Sequence, residues 1–213
     1  MAVHSYYQAF SGMKVAARVL NLDMTEKYAR QATFDVPADG VVRAFEIPEL
    51  TGLSTTYFLP LDLEDAKGRP VSSNFYWLST TPDLLDWEKS TWYHTATKFF
   101  ADLKALADLP EVELKLDATT EVKGSRALTR VRIENPGRTL AFMVRLRAMR
   151  SARSAADPEI LPILWRDAYF SLLPGERRET SASWRVSDAG KGPISVSVDG
   201  WNVIPRSCAA GKL

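Results

Sequence analysis

The side chains best suited to acid-base, nucleophilic or metal chemistry are few in this chain of 213 residues: two histidines, His4 and His94, and one cysteine, Cys208. Neither histidine sits in a recognisable triad or metal-ligand spacing, and a lone histidine is more often structural than functional. The sequence has no Gly-x-Ser-x-Gly elbow, no glycine-rich phosphate loop before a helix and no His-Glu-x-x-His. Acyl-transfer, nucleotide and zinc hydrolase chemistries therefore lose their support, and no cofactor or metal is expected. Paired carboxylates could still hydrolyse a glycoside, which needs two acids ~5 to 9.5 Å apart across a sugar cleft. Nearly every Asp and Glu, however, falls on the polar side of an alternating segment or in a turn, where solvation accounts for it. No catalytic residue is expected.

Two clusters carry binding chemistry instead. Arg130, Arg132, Arg145 and Arg147 could form a basic stripe on the outer face of one hairpin and hold an anion. They are interleaved with acids such as Glu134 and with no aromatic for base stacking, which is how an exposed sheet face stays soluble. The second cluster is Pro162 to Glu176, where two apolar runs flank a polar corner at Arg166-Asp167 and Leu173-Pro174-Gly175-Glu176 makes a turn. Trp165, Asp167 and Tyr169 are the candidate contacts to a sugar: an aromatic ring offers a flat face, and a carboxylate accepts from hydroxyls. Against this stands the plainer reading, with the aromatics in the core and Asp167 forming a turn. Four positions apart, Trp165 and Tyr169 would share a face of a continuous strand, so a bend at the corner is needed to present one of them at the end of the domain. Phe170 and Leu173 are expected in the core.

The elements that must position these residues are strands. Hydrophobic residues make up 46% and charged residues 25%, the balance of an ordinary globular chain long enough for two domains. The net charge of +1 gives no broad field for phosphate backbones or anionic lipid, so neither nucleic acid nor membrane is an expected partner. No window approaches the ~20 apolar residues of a membrane span, and the N-terminus lacks the pattern of a signal peptide. A single cysteine excludes an internal disulfide. It leaves the compartment open between a reducing one and a periplasmic or secreted one.

Alternation begins at Met13 to Asn21, with Met13, Val15, Ala17 and Val19 on one face and Lys14 and Arg18 on the other. With that segment, Tyr6 to Phe10, Tyr28 to Val36, Val41 to Pro48, Thr55 to Leu63 and Val71 to Leu78 bring the count to six strands, one short of the usual immunoglobulin-like number. From Thr80 to Pro110 the alternation stops. Trp87, Trp92, Tyr93, Phe99 and Phe100 crowd that segment, and Phe99, Leu103 and Leu106 have helical spacing. It reads as a packed linker with a short helix, since leaving so much apolar area in water costs ~25 cal/mol per Å². Alternation resumes at Val112 to Ala118, Thr129 to Ile133, Phe142 to Ala148, Ile160 to Trp165, Tyr169 to Leu173, Thr180 to Val186 and Ile194 to Val198. Asn135-Pro136-Gly137-Arg138 reads as a hairpin turn between the second and third of these.

The run Trp165-Arg166-Asp167-Ala168-Tyr169-Phe170-Ser171-Leu172-Leu173-Pro174-Gly175-Glu176 resembles the last domain of family 2 glycoside hydrolases of the β-mannosidase, endo-β-mannosidase and exo-β-D-glucosaminidase branch, with Ala168 in place of that pattern's Asn. Phe10 to Asp23 and Gly68 to Leu78 are similar to the penultimate, immunoglobulin-like domain of those enzymes, and Asp199-Gly200-Trp201-Asn202 to their closing strand. The resemblance implies an accessory C-terminal region whose acid/base and nucleophile glutamates lie elsewhere, in a (β/α)₈ barrel of the same polypeptide. That barrel becomes the expected partner, with carbohydrate a second one.

The expected fold is all-β: an immunoglobulin-like sandwich over 1–79 lacking its first strand, a packed aromatic linker over 80–110, a second sandwich over 111–206 and a tail over 207–213. Two functions follow from different classes, a buttress for the barrel or an autonomous carbohydrate-binding module. A buttress should expose a large apolar patch; a module should present two or three aromatics on one surface.

Overall fold

The computed structural model describes residues 1–150 and 159–212; Leu213, the last residue of the expected tail, falls outside them. The chain is all-β and divides into two compact units, Met1–Asp108 and Leu109–Leu213. Both are immunoglobulin-like, closed to different degrees.

In the first unit β1 (Ala2–Val3), β2 (Phe10–Asn21), β3 (Glu26–Val36), β4 (Val41–Val42), β5 (Thr56–Glu64), β6 (Pro70–Ser79), β7 (Leu84–Asp86) and β8 (Ala96–Phe99) follow in order. One four-stranded antiparallel sheet, β3-β2-β5-β6, dominates, and β1-β4 and β7-β8 form separate two-stranded ladders. The register sorts the alternating side chains as the pattern requires. Val15 faces Leu63 and Ala17 faces Leu61 on one side of the sheet, while Leu20 faces Phe58 on the other. Phe58 packs on Phe75 across β5 and β6, ring centroids 5.5 Å apart. Beside it Thr56 donates to the carbonyl of Asp102, and Leu106, in a 3₁₀ turn over Lys104–Asp108, is buried.

Two expected strands shrink. Over Val41 to Pro48 only Val41–Val42 pairs, and Tyr6 to Phe10 contributes only its last residue to β2. Phe45 and Ile47 keep their alternation but line a groove instead of entering a ladder. The aromatic segment forms the β7–β8 hairpin, with a 3₁₀ turn over Trp87–Lys89 capped by the Asp86 carboxylate. Its short helical spacing is realised in 3₁₀ turns, and Phe99 lies in a strand.

In the second unit β9 (Lys115–Lys123), β10 (Arg126–Glu134), β11 (Ala141–Arg150), β12 (Ile163–Trp165), β13 (Tyr169–Leu172), β14 (Arg177–Arg185), a one-turn helix (Val186–Ala189), β15 (Pro193–Asp199) and β16 (Arg206–Lys212) form a two-layer sandwich. The sheets are β12-β14-β10-β9 and β13-β11-β15-β16. Leu114, Ala141, Val144, Leu146, Ile160, Leu172, Ile194 and Val196 are buried between them, and Trp184 donates its indole N–H to the buried Thr129 hydroxyl at 3.0 Å.

The expected hairpin between β10 and β11 does not form: β10 pairs with β9 and β14, β11 with β13 and β15, in the other sheet. Buried Asn135 redirects the chain. Its amide donates to the carbonyls of Thr139 and Leu172 and its oxygen accepts from Gly137, so the turn arches between layers. Residues 207–212, expected as a tail, run within β16 along β15. Their small side chains hid that strand; Ala210 is buried, and a Cβ on Gly211 would stand 3.7 Å from Thr120 of β9.

Candidate functional site

The corner at Arg166–Asp167 is where the chain crosses between the layers of the second sandwich. Trp165 ends β12, opposite Ala182 of β14, and packs against the core. Tyr169 opens β13, opposite Arg145 of β11 in the other sheet, and is 73% exposed. The crossing is fixed by backbone bonds, Arg166 N–H to Ser181 O at 2.8 Å and Leu146 N–H to Ala168 O at 3.0 Å. The bend thus sends the two aromatics in opposite senses, and Trp165, Asp167 and Tyr169 do not converge on one surface.

Asp167 is held by a neighbour that sequence reading missed. Its carboxylate accepts from Arg178 Nη1 at 3.0 Å, and its carbonyl accepts from the Thr180 hydroxyl at 2.8 Å. The same guanidinium donates through Nη2 to Glu176 Oε1 at 3.0 Å and lies over the Phe170 ring, 4.6 Å from its centroid. Glu176 in turn accepts from Leu173 N–H through Oε2, closing a Leu-Pro-Gly-Glu turn in which Gly175 takes φ 76°. Pro at the second and Gly at the third position are what a type II turn demands. The corner is therefore a locked structure: both carboxylates are ion-paired to one arginine. Phe170 is buried and Leu173 half-buried.

Beside Tyr169, the outer face of β11 and β15 carries a second charged cluster. Asp199 accepts from Arg145 Nε at 2.8 Å and Nη2 at 2.7 Å, and from Arg147 Nη2 at 2.9 Å. The hydrogen bond from Arg145 holds the Asp199 carboxyl below its ordinary value against the opposing cost of burial, with the charges of Arg145 and Arg147 adding to the lowering. The Asp199 hydrogen bond and charge hold the Arg145 guanidinium protonated more firmly than usual. The four arginines expected on one hairpin face are divided between the sheets, and Arg130 and Arg132 pair with Glu121 and Glu179. No open basic stripe results.

One residue along the chain from Asp199, Gly200 lets the end of β15 press against β11: a Cβ there would meet Val203 Cγ2 at 2.8 Å and the carbonyls of Phe142 and Met143 at 3.1 Å. Asn202 follows, buried, donating to Pro110 O at 2.7 Å and Leu140 O at 2.8 Å and accepting from Phe142 N–H at 2.9 Å.

A cluster of exposed aromatic side chains belongs to the β7–β8 hairpin of the first unit. Trp92 and Tyr93 are 94% and 76% exposed, and Trp87, Phe99 and Phe100 are exposed too, with Phe99 beside Leu84 across the ladder. The Trp92 and Tyr93 rings meet edge to face, centroids 5.3 Å apart at 86°. Among the described residues no group of three or more His, Cys, Asp or Glu could hold a metal, and no helix is long and apolar enough to cross a membrane.

Comparison with known proteins gives a consistent set. The family described as the exo-β-D-glucosaminidase Ig-fold domain matches residues 92–203. The exo-β-D-glucosaminidase of Streptomyces avermitilis is 35% identical over 216 residues, covering 99% of this chain and 24% of that protein. That of Amycolatopsis orientalis is 36% identical, covering 95% and 20%. The crystal structure of the Amycolatopsis orientalis exo-chitosanase CsxA matches 98% of this chain and 25% of that one, with TM-score 0.91 and 35% identity. A β-D-mannosidase from Dictyoglomus thermophilum, at 13% identity and TM-score 0.51, shares the fold. The chain spans about a quarter or less of the length of these curated relatives.

Proposed function

The chain belongs to the exo-β-D-glucosaminidase Ig-fold domain family, and from that premise we propose that it is a non-catalytic accessory region of a family 2 glycoside hydrolase, buttressing the catalytic barrel of its own polypeptide. The observation that carries this reading is the β7–β8 hairpin. Aromatic rings of this size are each worth about 1.5–3 kcal/mol on burial, and a monomer rarely leaves so many of them in water. An edge-to-face pair such as Trp92 and Tyr93 makes a poor flat platform for a pyranose ring, which favours a docking surface over an autonomous carbohydrate-binding module. The relatives favour β-glucosaminides over β-mannosides as the substrate of the whole enzyme.

At the corner, Tyr169 rather than Trp165 is the residue placed to reach a neighbouring domain, with Asp167 and Arg178 holding its loop in shape. In this reading the loop contributes to the rim of the barrel's active site.

The test is a chimera in which this chain replaces the matched quarter of the Amycolatopsis orientalis enzyme. The chimera is expected to hydrolyse p-nitrophenyl β-D-glucosaminide, the same enzyme without the quarter to be insoluble or inactive, and this chain alone to be inactive. Activity in the isolated chain that follows the protein through repurification would refute the accessory role. Micromolar glucosamine binding to the isolated chain, lost in Trp92→Ala, would replace it with the carbohydrate-binding module.

A further inference from the structure

The first unit contains a groove of about 920 Å³ that the accessory role does not use. Its floor is one face of the four-stranded sheet, where Leu59, Leu61 and Leu63 of β5 project at every second residue. Its wall is β1, whose sole ladder partner among the described residues is β4. In a sandwich such a floor is covered by strands about 10 Å above it. Here the opposing layer is two strands wide, and the span over β5 is left open.

The wall is already set in place. His4 bonds through Nε2 to Pro37 O at 2.7 Å, its N–H donates to Gly40 O, and its ring meets Phe10 edge on at 5.1 Å. Asp39 N–H donates to Tyr6 O on the same side. The β4 side of this stretch is thus occupied, and among the described residues no strand pairs with the other edge of β1.

We propose that the groove accepts a β-strand: an extended segment, apolar at alternate positions, pairs with the open edge of β1 and lays its apolar side chains over Leu59, Leu61 and Leu63. The occupant is a strand of the same polypeptide, from the three quarters or more of its length that the relatives carry outside the matched stretch. Three features select it. The floor repeats every two residues, the period of a strand and not of a helix. Apolar side chains dominate the lining, and of its charged ones Asp65 and Arg69 are bonded to each other. A second copy brings only its own two-residue β1, which has too few side chains to cover Leu59, Leu61 and Leu63.

The probe is a synthetic peptide of about fifteen residues, long enough for one strand and its flanks, with the sequence immediately preceding the matched stretch in the Amycolatopsis orientalis exo-chitosanase. Titrated into the full chain, it should bind saturably, protect from exchange the Val3 amide, which points away from β4, and shift the methyl resonances of Leu59, Leu61 and Leu63. Leu61→Arg should weaken binding by about tenfold or more, the loss of ~1.4 kcal/mol. Should that variant not fold, the pattern of amide protection in the unsubstituted chain still decides. No saturation at millimolar peptide, protection confined to Pro70–Ser79, or self-association of the chain that buries Leu61 would each overturn the proposal. The glucosaminidase chimera is read out separately, so failure of the strand site leaves the accessory role standing.

Discussion

The two units are nearly equal in length and similar in strand content, yet only the second closes a core. It buries residues from both of its sheets, including Ala141, Val144, Leu172 and Val196. In the first unit the buried hydrophobic side chains are Met13, Ala17, Val19, Leu20, Val36, Phe58 and Leu106, most of them on one sheet. Further apolar side chains line the groove or project from the hairpin. Alternation in a sequence declares that a strand has an apolar face. It does not declare whether the layer that covers this face belongs to the same stretch of chain.

The comparison breaks if the units unfold together. Urea should give two transitions, the lower one belonging to residues 1–108. Leu146→Ala, in the closed core, should cost about 2–5 kcal/mol by cavity formation and move only the upper transition. Tryptophan fluorescence and far-ultraviolet circular dichroism, followed across the titration, check this; a single transition that moves as a whole would erase the distinction.

A somewhat smaller effect is expected at Asn202. Asn202→Ala leaves the Phe142 amide and the carbonyls of Pro110 and Leu140 without their partner. Unpaired buried backbone groups cost about 1–3 kcal/mol each before relaxation or water entry, so a loss of about 3 kcal/mol is expected in the second unit. A loss below about 1 kcal/mol by chemical denaturation would mean that water replaces the side chain.

The outer-face cluster sharpens the comparison through pH. Asp199 has its carboxyl lowered in the folded state, so it stabilises fully above the unfolded carboxylate value of about 3.9. That contribution is lost as pH falls through the lower folded value. Asp199→Asn should flatten the acid limb of the second unit's stability between pH 5 and pH 2 and leave that of the first unit unchanged. An unaltered slope would assign acid sensitivity to other carboxylates.

The smallest effect on stability is expected where exposure is greatest. Trp92→Ser with Tyr93→Ser should change the unfolding free energy of the isolated chain by less than about 0.5 kcal/mol, while abolishing assembly of the active chimera. A large loss of stability in the isolated chain would show that the hairpin rings support the first unit instead of a partner.

Much of this was legible in the residues. Lys14 and Arg18 against Val15 and Ala17 mark β2, and Val131 and Ile133 against Arg130 and Arg132 mark β10. The family is written in the Trp165 to Glu176 run. What stayed hidden has physical causes. Asn135, in a sequence that reads as a surface turn, is buried with one of its three side-chain bonds running to the distant Leu172 carbonyl, and so β10 and β11 separate. Ser207 to Gly211 lacks bulk because β16 passes close to Thr120, and a strand without bulk shows no alternation. At the candidate site, spacing placed Trp165 and Tyr169 together, but a chain that changes sheets between them inverts one. Arg178 lies eleven residues from Asp167, and only the ladder between β12 and β14 brings that segment near.

Asn202 also sets a clock on biosynthesis. The carbonyl of Pro110 waits 92 positions for the amide that satisfies it, and β11 gains β15 beside it only when residues 194–199 have been made. At ~5–20 residues per second, a ribosome needs roughly 5 to 18 s to cover that distance. Late in that interval Val131, Val144 and Leu146 have been made while β15 and β16, which complete their sandwich, have not. The second unit is thus one whose nascent strands need shielding before their last partners leave the exit tunnel.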